Sequence, residues 1–150
     1  MTQLDRIIEQ INRRHVYIQM HNFPDPDAIA SAFGLQQLLA SKGVTSSICH
    51  YGKIDSYSTN KMIESLGIQI TNVDINSHST EDDEIILVDS QKGNSNIHDL
   101  PGNEIICLDH HPAFDNIEYR FSDIRPELGA CASMVAQYFI ENNIHIDRNT

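Results

Sequence analysis

The chain has 150 residues, of which 40% are hydrophobic and 21% are charged, and its formal net charge is −11. This length and composition predict one globular domain and exclude both a disordered chain and a membrane-spanning segment. The acidic surface repels phosphate backbones, so we expect no binding to long duplex nucleic acid.

The apolar pattern predicts alternating helices and strands. In chain order it gives an amphipathic opening helix, a strand over 15–20, a helix over 27–43, a strand over 44–51, a helix over 58–67, a strand over 68–73, a polar loop over 76–84, a strand over 85–90, a second buried strand within 104–112, and a last helix over about 129–143. Such alternation is typical of parallel βαβ units. We therefore predict an α/β fold with a doubly wound, mainly parallel sheet flanked by helices.

The cysteines and the N-terminus are typical of a protein in a reducing compartment. Cys49, Cys107 and Cys131 are far apart and form no C-x-x-C pair, and the N-terminus is charged and amphipathic, unlike a secretion signal. We therefore expect neither a disulfide framework nor a thiolate zinc site, and we predict a cytoplasmic location.

The stretch "HNFPDPDAIAS" places His21, Asp25 and Asp27 between the first predicted strand and its helix. Its two prolines fix two φ angles, which lowers the entropy lost when the side chains converge on an ion. Asp27 by itself is equally well explained as the N-cap of the helix. The three residues together indicate metal binding.

Two further motifs follow buried strands. Asp89 follows the apolar run "IILV", where a ligand role competes with a turn-forming role. Its neighbours Ser90 and Lys92 could touch a ligand or lie in a solvated loop. "LDHHP" then contains the His110–His111 pair, with Asp109 placed to orient an imidazole.

These motifs come together if the sheet is parallel, because the carboxyl ends of its strands share one edge. Crowded carboxylates repel each other, and divalent cations relieve that repulsion. Imidazole and carboxylate ligands without thiolate suit Mn²⁺, Fe²⁺ or Co²⁺, and Mg²⁺ is an alternative.

The segments "HNFPDPDAIAS", "ILVDS", "LDHHP" and "GACASMV" resemble, in order and spacing, motifs I to IV of the DHH phosphoesterase superfamily. That superfamily includes the RecJ exonucleases, nano-RNA and cyclic-dinucleotide phosphodiesterases, and family II inorganic pyrophosphatases. "DPDA" in motif I looks most like the bacterial nano-RNA and cyclic-dinucleotide branch.

The resemblance implies a role for each matching residue. His21 and Asp25 would hold one metal, Asp27 and His110 would hold a second, and Asp89 would bridge both. His111 would face the scissile phosphate, and Asp109 would support the histidine pair. Backbone N–H groups would approach phosphate at Gly129, Ala130, Cys131, Ala132 and Ser133, although a tightly packed helix start explains these small residues nearly as well.

The resemblance also implies a function. We expect a phosphodiesterase that uses two Mn²⁺ ions to activate water and hydrolyses short oligonucleotides or a cyclic dinucleotide. A family II-type pyrophosphatase and a non-catalytic nucleotide- or metal-binding module are the alternatives, and a homodimer is left open.

Relatives in the superfamily carry one more aspartate ligand beyond motif IV, and then a C-terminal substrate-binding domain. We assign that ligand role to neither Asp123 nor Asp147. Residues 1–150 therefore read as a DHH domain that is incomplete at its C-terminus, with a fragment favoured over a natural remnant.

Overall fold

The computed structural model describes residues 1–75 and 78–145. Within these residues the chain forms four helices and six strands. In chain order they are α1 (Gln3–Gln10), β1 (His15–Gln19), α2 (Pro26–Ser41), β2 (Thr45–His50), α3 (Tyr57–Leu66), β3 (Ile70–Asn72), β4 (Glu84–Val88), β5 (Asn103–Asp109), β6 (Phe121–Ile124) and α4 (Cys131–Glu141).

The six strands form one sheet in the order β3-β2-β1-β4-β5-β6, and every pair of neighbours is parallel. The chain builds outward from β1 to β3, then returns to add β4 on the other side of β1. This reversal confirms the predicted doubly wound α/β fold. The carboxyl ends of β1 and β4 therefore meet at the switch point, where open parallel sheets bind ligands.

The helices pack on one face of the sheet. Leu4 and Ile7 of α1, the apolar side of α2 and residues such as Met134 of α4 share one buried cluster with Ile18 and other strand residues. Val135 of α4 lies so near Gly34 of α2 that any side chain on Gly34 would meet it. This contact fixes α4 against α2, and so places the start of α4 beside the start of α2.

The second face is covered by segments that are not helical in the described chain. Ile97 and Leu100, from the β4–β5 connection, pack there against strand residues including Leu87 and Cys107. The connections β4–β5 and β5–β6 are therefore loops, and these loops follow directly from the strand ends that carry Asp89 and Asp109.

The structure contains one strand that the sequence did not predict, and most of the predicted element bounds shift by one or two residues. Strand β6 was not predicted, because its four residues include the polar Ser122 and Asp123. Helix α2 begins at Pro26, and its N-cap is Asp25 rather than Asp27. The predicted polar loop over 76–84 lies partly outside the described residues, and Glu84 belongs to β4.

Among the described residues, no helix has the length and apolarity needed to cross a lipid bilayer.

Candidate metal centre

The carboxyl edge of the sheet gathers the residues that the sequence motifs singled out. His21 follows β1, Asp89 follows β4, and Asp109 ends β5 immediately before His110 and His111. Asp25 and Asp27 lie at the start of α2, the helix that follows β1 in the chain.

Asp89 lies at the middle of this group. The residue is 2% exposed, and its φ of 55° puts it in the left-handed region, which Asp tolerates better than most residues. Its Oδ2 is 3.6 Å from His21 Nε2, and its Oδ1 is 3.2 Å from His110 Nε2. The two oxygens of one carboxylate therefore face two different imidazoles.

The first group consists of His21, Asp25 and Asp89, which offer one ligand atom each within 4.8 Å of one another. His21 Nδ1 lies 2.8 Å from the Asn22 carbonyl oxygen and donates to it, because that oxygen can only accept. The neutral ring then presents the Nε2 lone pair to Asp89 and to Asp25, whose Oδ1 is 3.8 Å away.

The second group is centred on His110. Its Nδ1 lies 3.1 Å from the Leu128 carbonyl oxygen and donates to it in the same way. The Nε2 atom lies 3.5 Å from Asp27 Oδ2 and 3.2 Å from Asp89 Oδ1. Backbone carbonyls thus orient both imidazoles, the arrangement that metal-ligating histidines use to fix their tautomer.

The electrostatics of the two groups fit divalent cations. Asp89 Oδ1 is buried without a hydrogen-bond partner in the described part of the chain. Burial raises the pKa of Asp89, and the charges of Asp27 and Asp25 raise it further. Burial lowers the pKa of His21, but the nearby Asp89 carboxylate, the hydrogen bond to Asn22 and the charge of Asp25 raise it above its ordinary value overall. The cluster is short of positive charge, which divalent cations would supply.

His111 is held by Asp109 rather than by the cluster. Its Nδ1 donates to Asp109 Oδ1 at 2.8 Å, whereas Asp89 Oδ1 is 4.0 Å away. The hydrogen bond to Asp109 raises the pKa of His111, burial opposes this rise, and the charges of Asp109 and Asp89 add to it. Half of the His111 side chain is exposed. Asp89, His110 and His111 also offer one ligand atom each within 4.8 Å of one another, but Nδ1 of His111 already donates to Asp109.

Gln91 is a residue of this site that the sequence reasoning missed. It is 2% exposed, and its Nε2 donates to Asp109 Oδ2 at 2.8 Å and to the Pro112 carbonyl at 3.0 Å. Its Oε1 accepts from Phe114 N at 2.9 Å. Gln91 therefore connects the loop after β4 to the loop after β5 and fixes the carboxylate that holds His111. A Gln next to a strand end carries no recognisable motif, so only the structure reveals it.

Asp27 makes a second set of contacts, with α4. Its Oδ2 accepts from Cys131 N at 2.9 Å, and its Oδ1 accepts from Ala132 N at 2.8 Å. The N-cap of α4 is Ala130, which has no polar side chain, so Asp27 supplies the cap from another helix. Two amides that the sequence assigned to phosphate are thus paired with a carboxylate in this structure. Phosphate binding by Gly129–Ser133 stays a prediction.

Comparison with known proteins identifies the family of the chain. The profile of the DHH family, N-terminal domain, matches residues 15–150. The chain belongs to the DHH family.

Individual relatives place this DHH domain in longer proteins. The chain is 38% identical over 145 residues to an uncharacterized protein of Methanocaldococcus jannaschii. This alignment covers 94% of the chain and 29% of that protein. The chain is 26% identical over 137 residues to a probable manganese-dependent inorganic pyrophosphatase of Streptococcus thermophilus, covering 89% of the chain and 44% of that protein. The chain therefore spans less than half the length of each of these relatives.

A solved structure shows the same fold. An exopolyphosphatase-related protein from Bacteroides fragilis superposes with a TM-score of 0.73 at 20% identity, over 94% of the chain and 44% of that protein.

The remaining polar residues of the DHH domain that the sequence singled out lie outside the centre. Ser90 is buried and donates to Asn96 Oδ1 at 3.1 Å, so it is not in a solvated loop. Lys92 pairs with Glu104 at 2.7 Å. Asp123 accepts from Arg125 and, at 2.6 Å, from the Tyr138 hydroxyl, which leaves it a structural role in this chain. Asp147 lies outside the described residues.

Proposed function

We propose that this DHH domain is the metal-binding part of a phosphoesterase that uses two divalent cations. His21 and Asp25 would hold one cation, Asp27 and His110 would hold the other, and Asp89 would bind both. The observation that carries this proposal is Asp89 itself, a buried carboxylate whose two oxygens face two oriented imidazoles. Mn²⁺ is the proposed metal, since the pyrophosphatase relative is named as manganese-dependent; Mg²⁺, Co²⁺ and Fe²⁺ suit the same ligands.

The residues of the chain have separate tasks in this proposal. Bound cations would activate a water molecule and offset the charge on the phosphate oxygens. Asn22 and Leu128 hold the imidazoles of His21 and His110 through their carbonyls. Asp109 orients His111, whose exposed side chain can donate a hydrogen bond or a proton to an oxygen of the phosphate.

A cysteine nucleophile is not part of the proposal. Burial raises the pKa of the Cys131 thiol to about 12, although this thiol lies beside the centre. The thiol therefore stays protonated near neutral pH, and thiolate is the nucleophilic form.

The substrate is proposed among two classes. Motif I, with its "DPDA", favours a short oligonucleotide or a cyclic dinucleotide. The names of the pyrophosphatase relative and of the exopolyphosphatase-related structure favour the alternative, a phosphoanhydride such as pyrophosphate. The phosphodiester bond of a nucleotide substrate and the phosphoanhydride bond of pyrophosphate would both present phosphate oxygens to the same cations.

A hydrolysis assay on the whole protein tests the proposal. With Mn²⁺ present, we expect release of mononucleotide from a linear dinucleotide, or of phosphate from pyrophosphate, and a chelator should abolish it. His111→Ala should lower turnover while metal binding is kept. If metal and nucleotide stabilise the protein against heat but neither substrate is hydrolysed, the protein is a binding module instead.

The proposal extends to the rest of the protein. We propose that the complete site takes a further carboxylate and a substrate-binding domain from residues outside this chain, and that the protein acts in the cytoplasm. Adding residues beyond 150 should then raise metal affinity in a calorimetric titration.

A further inference from the structure

A cleft of about 360 Å³ adjoins the metal centre on the side of Asp25. Its walls are the loop that carries Asp25 and the segment that leads into α3. Its lining includes Phe23, Asp25, Lys53, Asp55 and Thr59. Asp25 thus forms a wall that the cleft shares with the first metal group.

Phe23 presents an aromatic ring at this cleft. Its side chain is 67% exposed, and its φ of 52° lies in the left-handed region, where a bulky residue is strained. Its N–H donates to the Tyr51 carbonyl at 2.9 Å, which holds the backbone in place. The ring rests on Gly52, where a Cβ would come within 2.7 Å of it. Phe23 is therefore an aromatic ring that is supported on one side and open on the other.

Thr59 supplies an independent sign of a ligand. The residue is 1% exposed and lines the cleft. No group in residues 1–75 or 78–145 makes a hydrogen bond with its hydroxyl. An unpaired buried hydroxyl costs free energy, and rotation of the Thr59 side chain towards the cleft would let a polar group of a ligand satisfy it. Lys53, the cation of the cleft, pairs with Asp55 at 2.7 Å, so its charge is already balanced.

We infer that this cleft binds the nucleoside part of a nucleotide whose phosphate lies at the metal centre. The base would stack on the open face of Phe23, and the sugar or the base edge would reach Thr59. This inference rests on the proposed function, and of the two substrate classes it selects the one that carries a base. Pyrophosphate has no flat ring to place on Phe23.

Measurements of equilibrium binding affinity test the inference without any need for substrate turnover. The whole protein is titrated calorimetrically, with Mn²⁺ present, against adenosine 5′-monophosphate and against inorganic phosphate. We expect the monophosphate to bind about 5- to 150-fold more tightly than phosphate, the range that stacking of one base provides. Phe23→Asn should reduce this ratio towards one, because Asn tolerates the positive φ but has no ring. Phe23→Tyr should restore the ratio.

Two further variants separate binding from folding. Thr59→Val removes the unpaired hydroxyl at nearly constant shape, so it should weaken monophosphate binding without lowering the thermal unfolding temperature. Tyr57→Asn is the matched control, since Tyr57 is an aromatic residue that is 82% exposed and is not among the residues that line the cleft. It should leave the ratio unchanged.

Equal affinities for the two probes in the unchanged protein would overturn the inference, and so would binding of neither probe. An equal loss of both affinities in Phe23→Asn would also overturn it. The hydrolysis assay is a separate measurement. Metal-dependent cleavage with no base preference would therefore refute nucleoside binding in the cleft and leave the phosphoesterase proposal intact.

Discussion

Asp89 shows, at the scale of one residue, how a fold can hold a buried charged group that is unfavourable by itself. The carboxylate is buried beside two imidazoles and two other carboxylates, and Oδ1 receives no hydrogen bond from the described residues. The Asp89 N–H donates to the Leu108 carbonyl at 2.9 Å, which fixes the left-handed turn. Function at such a site is expected to reduce stability.

The stability cost of this buried carboxylate predicts the effect of Asp89→Asn on the free energy of unfolding. In metal-free protein, the variant should raise the free energy of unfolding by about 1 kcal/mol, because it removes a buried charge at almost constant shape. Urea denaturation in the presence of a chelator measures the change. A destabilised variant would show that Asp89 is already satisfied without metal.

Gln91 gives a second prediction at this scale. Gln91→Leu should lower the free energy of unfolding by about 1–3 kcal/mol, because it leaves the buried Oδ2 of Asp109 without its donor. It should also lower turnover by loosening His111, while Mn²⁺ stoichiometry stays unchanged. Ser90→Ala, which removes a neighbouring buried hydrogen bond, is the control. If both variants lower turnover equally at equal stability, Gln91 has no special role in positioning His111.

At the scale of elements, the buried strands and the motif-bearing loops were predictable, because long apolar runs and a fixed motif order leave few alternatives. Strand β6 was not, since a short strand with Ser122 and Asp123 is recognised only by its pairing with β5. Two caps were also beyond sequence reasoning. The sequence offers Asp27 as an N-cap of α2, but Asp25 caps that helix in the structure, and nothing in the sequence shows that Asp27 caps α4.

Asp27 caps α4, and its proposed second role as a metal ligand is testable. Asp27→Asn keeps one carbonyl oxygen and loses the charge that favours a helix N-terminus, so it should destabilise metal-free protein by about 1 kcal/mol. It should also weaken Mn²⁺ binding. Ser56→Ala removes the cap of α3 and should cost a similar amount with no change in metal affinity. Equal metal affinities in the two variants would exclude Asp27 as a ligand.

His50, the last residue of β2, is expected to make the stability of the protein depend on pH. Burial lowers the pKa of His50, although hydrogen bonds to backbone carbonyls and the charge of Asp74 oppose this. The unfolded chain therefore binds a proton on His50 at a higher pH than the folded chain, so the stability from neutral His50 is lost as pH falls below about 6.5. The stability advantage of the unchanged protein over His50→Gln should shrink between about pH 7.5 and about pH 5.5 in denaturant unfolding. A constant advantage would contradict the direction of the shift.

At the scale of the whole molecule, the acidic charge and the proposed metal centre have a common explanation. A protein with a net charge of −11 repels anionic substrates, and the centre concentrates several carboxylates at the point where we propose that phosphate binds. Divalent cations would reverse the sign of the field there and nowhere else. Phosphate affinity should therefore depend on bound metal much more than on ionic strength.

Counting bound Mn²⁺ tests the central claim most directly. In an equilibrium titration of the whole protein, we predict two Mn²⁺ per chain, and we predict that Asp89→Ala loses high-affinity binding of both ions because each loses the same ligand. Two ions retained at unchanged affinity in Asp89→Ala, or no binding to the unchanged protein, would contradict a centre built around Asp89.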